Sequence, residues 1–363
     1  LSFLAIMKIR VGVIGLGEAW EQRYRPTLRS LVDRFEVKAI CDPISHRAEQ
    51  AAHEFGAQAV DGFHAVAKRD DIDALLILSD QWYGHLPVLA ACEYGRAVYC
   101  AVALQLNMED AVQLKHKVEE SGISFMAEFP RRHAPATVRL KELMATRLGQ
   151  PNLLFCHKRT PVHEKATAKT KILPQGDDYR DLIELVDWCR YVVGQEPTSV
   201  FGLCHYVKAN PAQSDYRMMS LDYSHTGQPG AGVVAQISSG YYFPQCWEEA
   251  VSYRPPAALQ VACENGIAFI DLPTNLVWFD NAGRHQESLE NDRPLTEHLL
   301  NQFHRSVTSL VRQVSGLEDA FRAVQIVLAA QHSQATGQRV YLTSTPPSPS
   351  PILDSPARPA YGN

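Results

Sequence analysis

No apolar run in this chain approaches the roughly 20 residues that a bilayer-spanning helix needs, so a membrane span is not expected. Leu1 to Ile6 is too short for a secretory hydrophobic region. It also lacks a basic flank before it and a small-residue cleavage site after it. A basic excess is missing as well: the formal charge is −5 and no Lys/Arg cluster is interleaved with aromatics, so nucleic acid is not an expected partner. The eight cysteines include no Cys-x-x-Cys pair. Scattered in this way, they point to reduced, mostly buried thiols in the cytoplasm and away from a disulfide framework or a zinc site. Cys156, His157 and His205 lack metal-ligand spacing and partner carboxylates, so no metal is expected. No Ser or Cys stands in a nucleophile context such as Gly-x-Ser-x-Gly.

What is present begins at residues 11 to 17, Val-Gly-Val-Ile-Gly-Leu-Gly, an apolar strand running into a glycine turn. Met7 reads as the natural start, with the strand beginning at Lys8. Asp42 follows at the end of the next apolar run, Phe35 to Cys41. This pairing points to a nicotinamide-dinucleotide site: Gly15 reverses the chain tightly, Gly17 lets the backbone approach a pyrophosphate, and a carboxylate about 20 to 25 residues on accepts the ribose hydroxyls. Glu18 and Ala19 complete the candidate phosphate turn. Asp42 also has a purely structural alternative, capping the helix that follows. The third glycine of the fingerprint is absent, and Trp20 stands in its place. An indole there cannot allow the closest helix-to-strand contact, so the turn must open slightly or rotate the ring outward.

At 363 residues with 45% hydrophobic content, the chain can bury a sizeable core in two domains. Through residue 128 it alternates strand-like and helix-like segments: helix over Ser45 to Phe55 ending at Gly56, strand Ala74 to Leu78, helix His85 to Tyr94 closed by Gly95. Strand Ala97 to Cys100, helix Met108 to Glu120 and strand Ser124 to Ala127 continue the pattern. Such alternation with short loops predicts a Rossmann-type doubly wound parallel sheet over 8–128, with ligands at the strands' carboxyl ends. The second half, 129–342, reads as an α/β domain. After a helix over Asp181 to Val193, strand-like runs follow at Val200 to Val207, Arg217 to Ser224, Gly232 to Tyr242, Ala258 to Glu264, Ala268 to Asp271 and Leu276 to Phe279. These predict an open, mostly antiparallel sheet whose free face suits a homo-oligomer, a dimer or a tetramer. Helices at Thr296 to Arg312 and Leu317 to Gln334 and a strand at Arg339 to Leu342 close the domain, the last elements packing back on the first. Residues 343–363 form a proline-rich tail.

The order of these features resembles the glucose-fructose oxidoreductase, inositol dehydrogenase and rhizopine catabolism (Gfo/Idh/MocA) family over roughly residues 8 to 342. The resemblance rests on Gly15-Leu16-Gly17 with Arg25-Pro26-Thr27-Leu28, on Cys41-Asp42-Pro43, and on His85-Leu86-Pro87 after a strand ending at Ser79. It continues through Ala97-Val98-Tyr99-Cys100, Arg132 with Pro135, Val186-Asp187-Trp188, Glu264-Asn265-Gly266 and the run Gln334 to Val340. It implies an NAD(P)-dependent oxidoreductase transferring hydride on a sugar-like or cyclic polyol substrate. Gly15 and Gly17 would then meet the pyrophosphate, Asp42 the adenosine ribose, and Ser79, His85 and Cys100 the nicotinamide side. Asp42 before Pro43 favours NAD over NADP, and Arg47 sits too far along the chain to neutralise a 2′-phosphate.

The departures from the family pattern matter as much. Family members normally follow the fifth strand with Glu-Lys-Pro, whose lysine assists proton transfer; here Ala101-Val102-Ala103 stands instead. The usual Asp-x-Gly-x-His-x-x-Asp, aligned on Asp187, puts Arg180, Leu182 and Glu184 at the first three named positions. General acid-base catalysis contributes on the order of 10²–10⁴-fold, so losing the lysine without a substitute raises the barrier by about 3 to 5 kcal/mol. Glu184 and Asp187 are the candidate relocated catalytic groups, on one helix face with Arg180 and Asp181; the alternative is a salt-bridged surface with Arg180 pairing Glu184. Lys158, His163, Lys165, Lys169 and Lys171, in or beside the loop before this helix, are further candidates. Trp82 and Tyr83 are candidates for stacking on a nicotinamide or sugar ring, or else pack under the Arg132 segment. Arg132 suits a substrate carboxylate or an inter-domain acid equally. A catalytically silent homologue that binds cofactor or sugar and acts as a sensor, scaffold or oligomeric partner is the competing function.

Overall fold

The computed structural model describes residues 7–17, 19–79, 83–103, 106–162, 175–206, 214–224, 228–244, 249, 256–290, 293–309 and 315–342. Glu18, Trp82, His163, Lys165, Lys169, Lys171 and the proline-rich tail lie outside them.

The first sheet is built from runs buried on both faces, as parallel strands covered by helices must be. Its strands are β1 (Ile9–Ile14), β2 (Phe35–Cys41), β3 (Gln58–Ala59), β4 (Ala74–Ile77), β5 (Ala97–Cys100) and β6 (Phe125–Ala127). They lie in the order β3-β2-β1-β4-β5-β6, all parallel. The strand order switches between β1 and β4, from building outward on one side to building on the other, and the crevice at that switch is where such sheets take ligands. The connecting helices are α1 (Arg25–Ser30), α2 (Ser45–Phe55), α3 (Phe63–Ala67), α4 (Leu86–Glu93) and α5 (Met108–Ser121). Gly56 and Gly122 end α2 and α5 in the left-handed conformation, at φ +62° and +65°, a stop that glycine adopts without a Cβ penalty.

Trp20 resolves the missing third glycine by the first of the two expected routes. The turn opens: residues Trp20–Tyr24 form a π-helical turn ahead of α1, wider than an α-turn. The ring does not rotate outward. It is 2% exposed and packs on Phe55 of α2 at 5.7 Å between ring centroids.

Two short helices, α6 (Pro130–His133) and α7 (Pro135–Leu143), lead to the second sheet. Its strands are β7 (Pro151–Val162), β8 (Ser199–Tyr206), β9 (Ser214–Asp222), β10 (Val234–Pro244), β11 (Leu259–Cys263), β12 (Gly266–Asp271), β13 (Asn275–Asp280), β14 (Gly283–Ser288) and β15 (Val340–Tyr341). The order is β14-β13-β12-β11-β7-β10-β9-β8-β15. Only β7–β10 is a parallel pair; the sheet is otherwise antiparallel. β7 was not anticipated, and Lys158, expected in a loop, lies in this central strand. The run His157-Lys158-Arg159 reads as loop because it breaks the apolar pattern.

One face of the second sheet is covered by α8 (Gln175–Val193) and by the long helix Ser315–Thr336, here α10, with α9 being Leu295–Thr308. Helix α8 starts six residues before its expected beginning, because Gly176-Asp177-Asp178 resembles a turn yet puts acids where a first helical turn favours them. The helix α10 lies flush on β8: a Cβ at Gly202 would stand 2.3 Å from the carbonyl oxygen of Ala330. Helix α9 returns to the first sheet, where Leu299, Leu300 and Phe303 are fully buried and Phe303 meets Tyr99 at 5.5 Å. Among the described residues no helix is long and apolar enough to cross a membrane.

Candidate functional site

The glycine turn is pressed against the end of β4. Gly15 and Gly17 have φ of +70° and +57°. A Cβ on Gly15 would lie 2.9 Å from Ser79 Cβ, and one on Gly17 would lie 3.2 Å from Leu78 O. Glycine is therefore required twice over, by conformation and by space. The Gly15 amide donates to Cys41 O at 2.8 Å, and the Leu16 amide donates to Asp42 Oδ2 at 2.8 Å. Asp42 Oδ1 accepts from the Ile44 amide at 2.9 Å. Both oxygens of Asp42 thus brace the loops on either side of it, and its carboxylate stands at the mouth of the turn. It does not cap α2 itself, where Ile44 is the flanking residue with no side-chain cap. Arg47 Nη2 donates to Gly17 O at 3.1 Å, because α2 begins at Ser45 and folds back over the turn.

The remaining candidates divide. Ser79 is 9% exposed and faces the glycine turn. His85 is half-buried at the start of α4. Cys100 is 2% exposed, and its thiol donates to Val102 O at 3.3 Å. With Val102, Leu106, Phe321 and Glu184 it lines an apolar cavity of about 60 Å³, room for about two waters. Tyr83 packs edge-on against Phe63 at 5.1 Å, with its hydroxyl 3.8 Å from Cys41 Sγ, on the β2 side and away from the Arg132 segment.

On α8, Glu184 lies between two guanidinium groups, Arg180 Nε at 3.2 Å and Arg131 Nε at 3.4 Å. Arg180 Nη2 approaches Ala101 O at 3.5 Å, which ties this helix to the end of β5. Lys158 pairs with Asp181 one turn earlier, and burial raises the Asp181 carboxyl above its ordinary range against the pull of Lys158. Asp187 sits apart from these groups: it is 1% exposed and held by both arms of Arg132, with Nε at 2.6 Å from Oδ2. Burial pushes its carboxyl up to about 6 even against Arg132. Arg132 also donates to Asp319 of α10 at 2.7 Å, so both of its acids belong to its own half of the chain and neither is the inter-domain acid expected.

One cluster escaped the sequence reading. Glu128, directly after β6, has a side chain 2% exposed and pairs with Arg23. It also accepts hydrogen bonds from Tyr24 and Tyr99, each at 2.5 Å. Burial, then the Glu128 charge, raises both phenols well above their ordinary value. An acid immediately after a strand end was the available signal. Among the described residues no group of three or more His, Cys, Asp or Glu is arranged to hold a metal ion.

Residues 9–129 match the oxidoreductase family with an NAD-binding Rossmann fold, Gfo/Idh/MocA. The N-terminal domain belongs to this family. The chain is 30% identical over 185 residues to inositol 2-dehydrogenase 3 of Saccharopolyspora erythraea, covering 49% of this chain and 54% of that protein. It is 28% identical over 200 residues to scyllo-inositol 2-dehydrogenase (NAD(+)) of Bacillus subtilis, covering 54% and 57%. The chain thus spans only about half the length of these relatives. Beyond the matched stretch the likeness is one of fold alone: aldose-aldose oxidoreductase of Caulobacter crescentus superposes with a TM-score of 0.76 at 14% identity, over 93% of this chain and 100% of that one.

Proposed function

We propose that the protein is an NAD-dependent oxidoreductase acting on a hydroxyl-bearing carbon of a sugar or cyclic polyol, bound where α8 meets the end of β5. The observation that carries this reading is the glycine turn, too tight at Gly15 and Gly17 for any Cβ and with the Asp42 carboxylate at its mouth. When bound, NAD supplies the hydride acceptor. Gly15, Gly17 and Ala19 offer backbone to the pyrophosphate. Asp42 takes the ribose hydroxyls, and Ser79, His85 and Cys100 border the nicotinamide side.

Proton handling in this reading falls to Glu184. Val102, at the position that holds lysine in the family pattern, is 7% exposed in the apolar core and has no proton to exchange. Glu184 lies next to Arg180, which reaches the adjoining Ala101 carbonyl, and a carboxylate there accepts the substrate hydroxyl's proton. Asp187, committed to Arg132 apart from this group, carries no step of the proton transfer. The protein also self-associates through the open face of the second sheet, where Leu153, Leu203, Met218, Phe269 and Phe279 point away from α8 and α10.

The test is an NADH titration followed by tryptophan quenching, with Asp42→Ala as control, and then a turnover screen of sugars and polyols with Glu184→Gln. Micromolar NADH binding lost in Asp42→Ala, with turnover reduced at least 100-fold in Glu184→Gln, supports the proposal. Binding without turnover of any substrate marks the catalytically silent alternative, and turnover unchanged in Glu184→Gln overturns the role given to Glu184.

A further inference from the structure

We propose that the substrate carries an anionic group, a carboxylate or a phosphate, on its sugar or polyol frame, and that Lys158 and Arg180 bind it. This rests on the oxidoreductase reading above and narrows its substrate class. The two ion pairs on the first turns of α8 are built the same way round. The Lys158 side chain is 35% exposed while its partner Asp181 is 6% exposed. The Arg180 side chain is 39% exposed while Glu184, shared with Arg131, is 16% exposed. The carboxylates therefore form the back of the cluster, and the ammonium and guanidinium groups form the side that an incoming molecule meets.

Charge count points the same way. Among the described ion pairs, Lys158, Arg131 and Arg180 meet Asp181 and Glu184, three cations against two acids, with Glu128, itself paired with Arg23, acting on Arg180 from beyond them. Among the described residues Nη1 of Arg180 makes no hydrogen bond, Nε being taken by Glu184 and Nη2 by Ala101 O. A guanidinium edge of this kind matches the oxygens of a carboxylate or phosphate, and lysine adds a point charge beside it. Neutral hydroxyls need no such charge. A cleft lined by one sign of charge also raises the local concentration of the oppositely charged ligand.

The experiment uses the full chain with saturating NAD⁺ and compares hexuronates, aldonates and hexose phosphates with their neutral parents, reading Kd from thermal-shift titrations and kcat/KM from NADH formation. An anionic member should bind at least tenfold more tightly than its neutral parent, and whichever class does so assigns carboxylate or phosphate. Lys158→Met should weaken that binding by about 10- to 100-fold, the size of one charge-assisted contact. Lys158→Arg should restore most of it, and Lys117→Met, an exposed change on α5, should leave it unaltered. Arg180→Gln gives an independent second variant. Neutral parents binding as tightly as the anions, or anion binding that survives both Lys158→Met and Arg180→Gln, overturns the inference. If NADH binds and neutral polyols are turned over, the oxidoreductase reading stands and only the anion assignment falls. If NADH does not bind, both fall.

Discussion

Gly15 and Ser79 are in such close contact that a Cβ on the glycine would stand 2.9 Å from the serine Cβ, with φ at +70° adding backbone strain. Gly15→Ala should therefore lower stability by roughly 1–3 kcal/mol and weaken NADH binding at least tenfold. Gly56→Ala, at φ +62° with nothing within 4 Å of the added carbon, supplies the control. It should cost about 1 kcal/mol and leave NADH affinity unchanged. Paired urea midpoints and quenching titrations check both, and equal NADH losses in the two variants would refute the steric account.

Trp20→Gly restores the usual dinucleotide fingerprint, yet it should destabilise the protein by about 3–5 kcal/mol. The buried indole and Phe55 fill the space between the opening π-turn and α2, and removing a large aromatic side chain leaves a cavity as well as losing its burial. A thermal melt of the variant at or above the wild-type midpoint would show that the ring is dispensable.

Glu128→Gln should destabilise by roughly 3–5 kcal/mol, because it leaves the Arg23 charge without its partner in a largely buried setting. The double change Arg23→Leu with Glu128→Gln should lose less than Glu128→Gln alone, since no unpaired charge remains and the glutamine oxygen can still accept from the tyrosines. Denaturation of the three proteins at pH 7 tests the ordering.

His133 and Asp187, both neighbours of Arg132, titrate in overlapping windows with opposite signs. Burial, then His298 and Arg132, lowers His133 from about 6.5 to about 4. The stability it contributes is complete above the unfolded value and is lost as pH falls towards 4. Asp187 is raised from about 3.8 to about 6, so its contribution is complete at the acidic end and is lost as pH rises through 6. Each is on the order of 2 kcal/mol once solvent screening is allowed for. Between pH 4 and 6.5 the two slopes nearly offset. His133→Gln should remove one opposing slope and leave His157, also lowered by burial, against Asp187 and Asp181, so that relative to wild type the urea midpoint shifts downward as pH rises from 4 to 6. A variant profile parallel to the wild-type one would contradict this.

Elements with a local signature were legible in the sequence. Ser45–Phe55 has a helical pattern and a glycine stop, and Ala97–Cys100 is a short apolar run between turn signals; both stand at the expected positions. Gly15, Gly17 and Asp42 were legible for the same reason, since their chemistry is written within one strand-turn-strand unit. Lys158 was not, because a charged residue on the helix-covered face of its strand interrupts the apolar pattern that would reveal the strand. Nor was the Glu128 cluster, whose partners Tyr24 and Tyr99 come from 104 and 29 residues away. The distance that Arg47 spans to Gly17 is likewise a product of tertiary folding, a helix lying back over a turn, and has no counterpart in sequence separation.

Helix α9 covers the β5 side of the first sheet although its residues follow all but β15 of the second sheet in the chain. As the protein emerges from the ribosome, the stretch that matches the family ends at Phe129, long before Leu299, Leu300 and Phe303 exist to seat against Tyr99. That side of the nascent domain waits uncovered while the second sheet is synthesised, an interval in which exposed apolar surface favours misassembly. His304 then donates to the carbonyl of Met7 at 2.7 Å, so one of the last helices to be made secures the first strand.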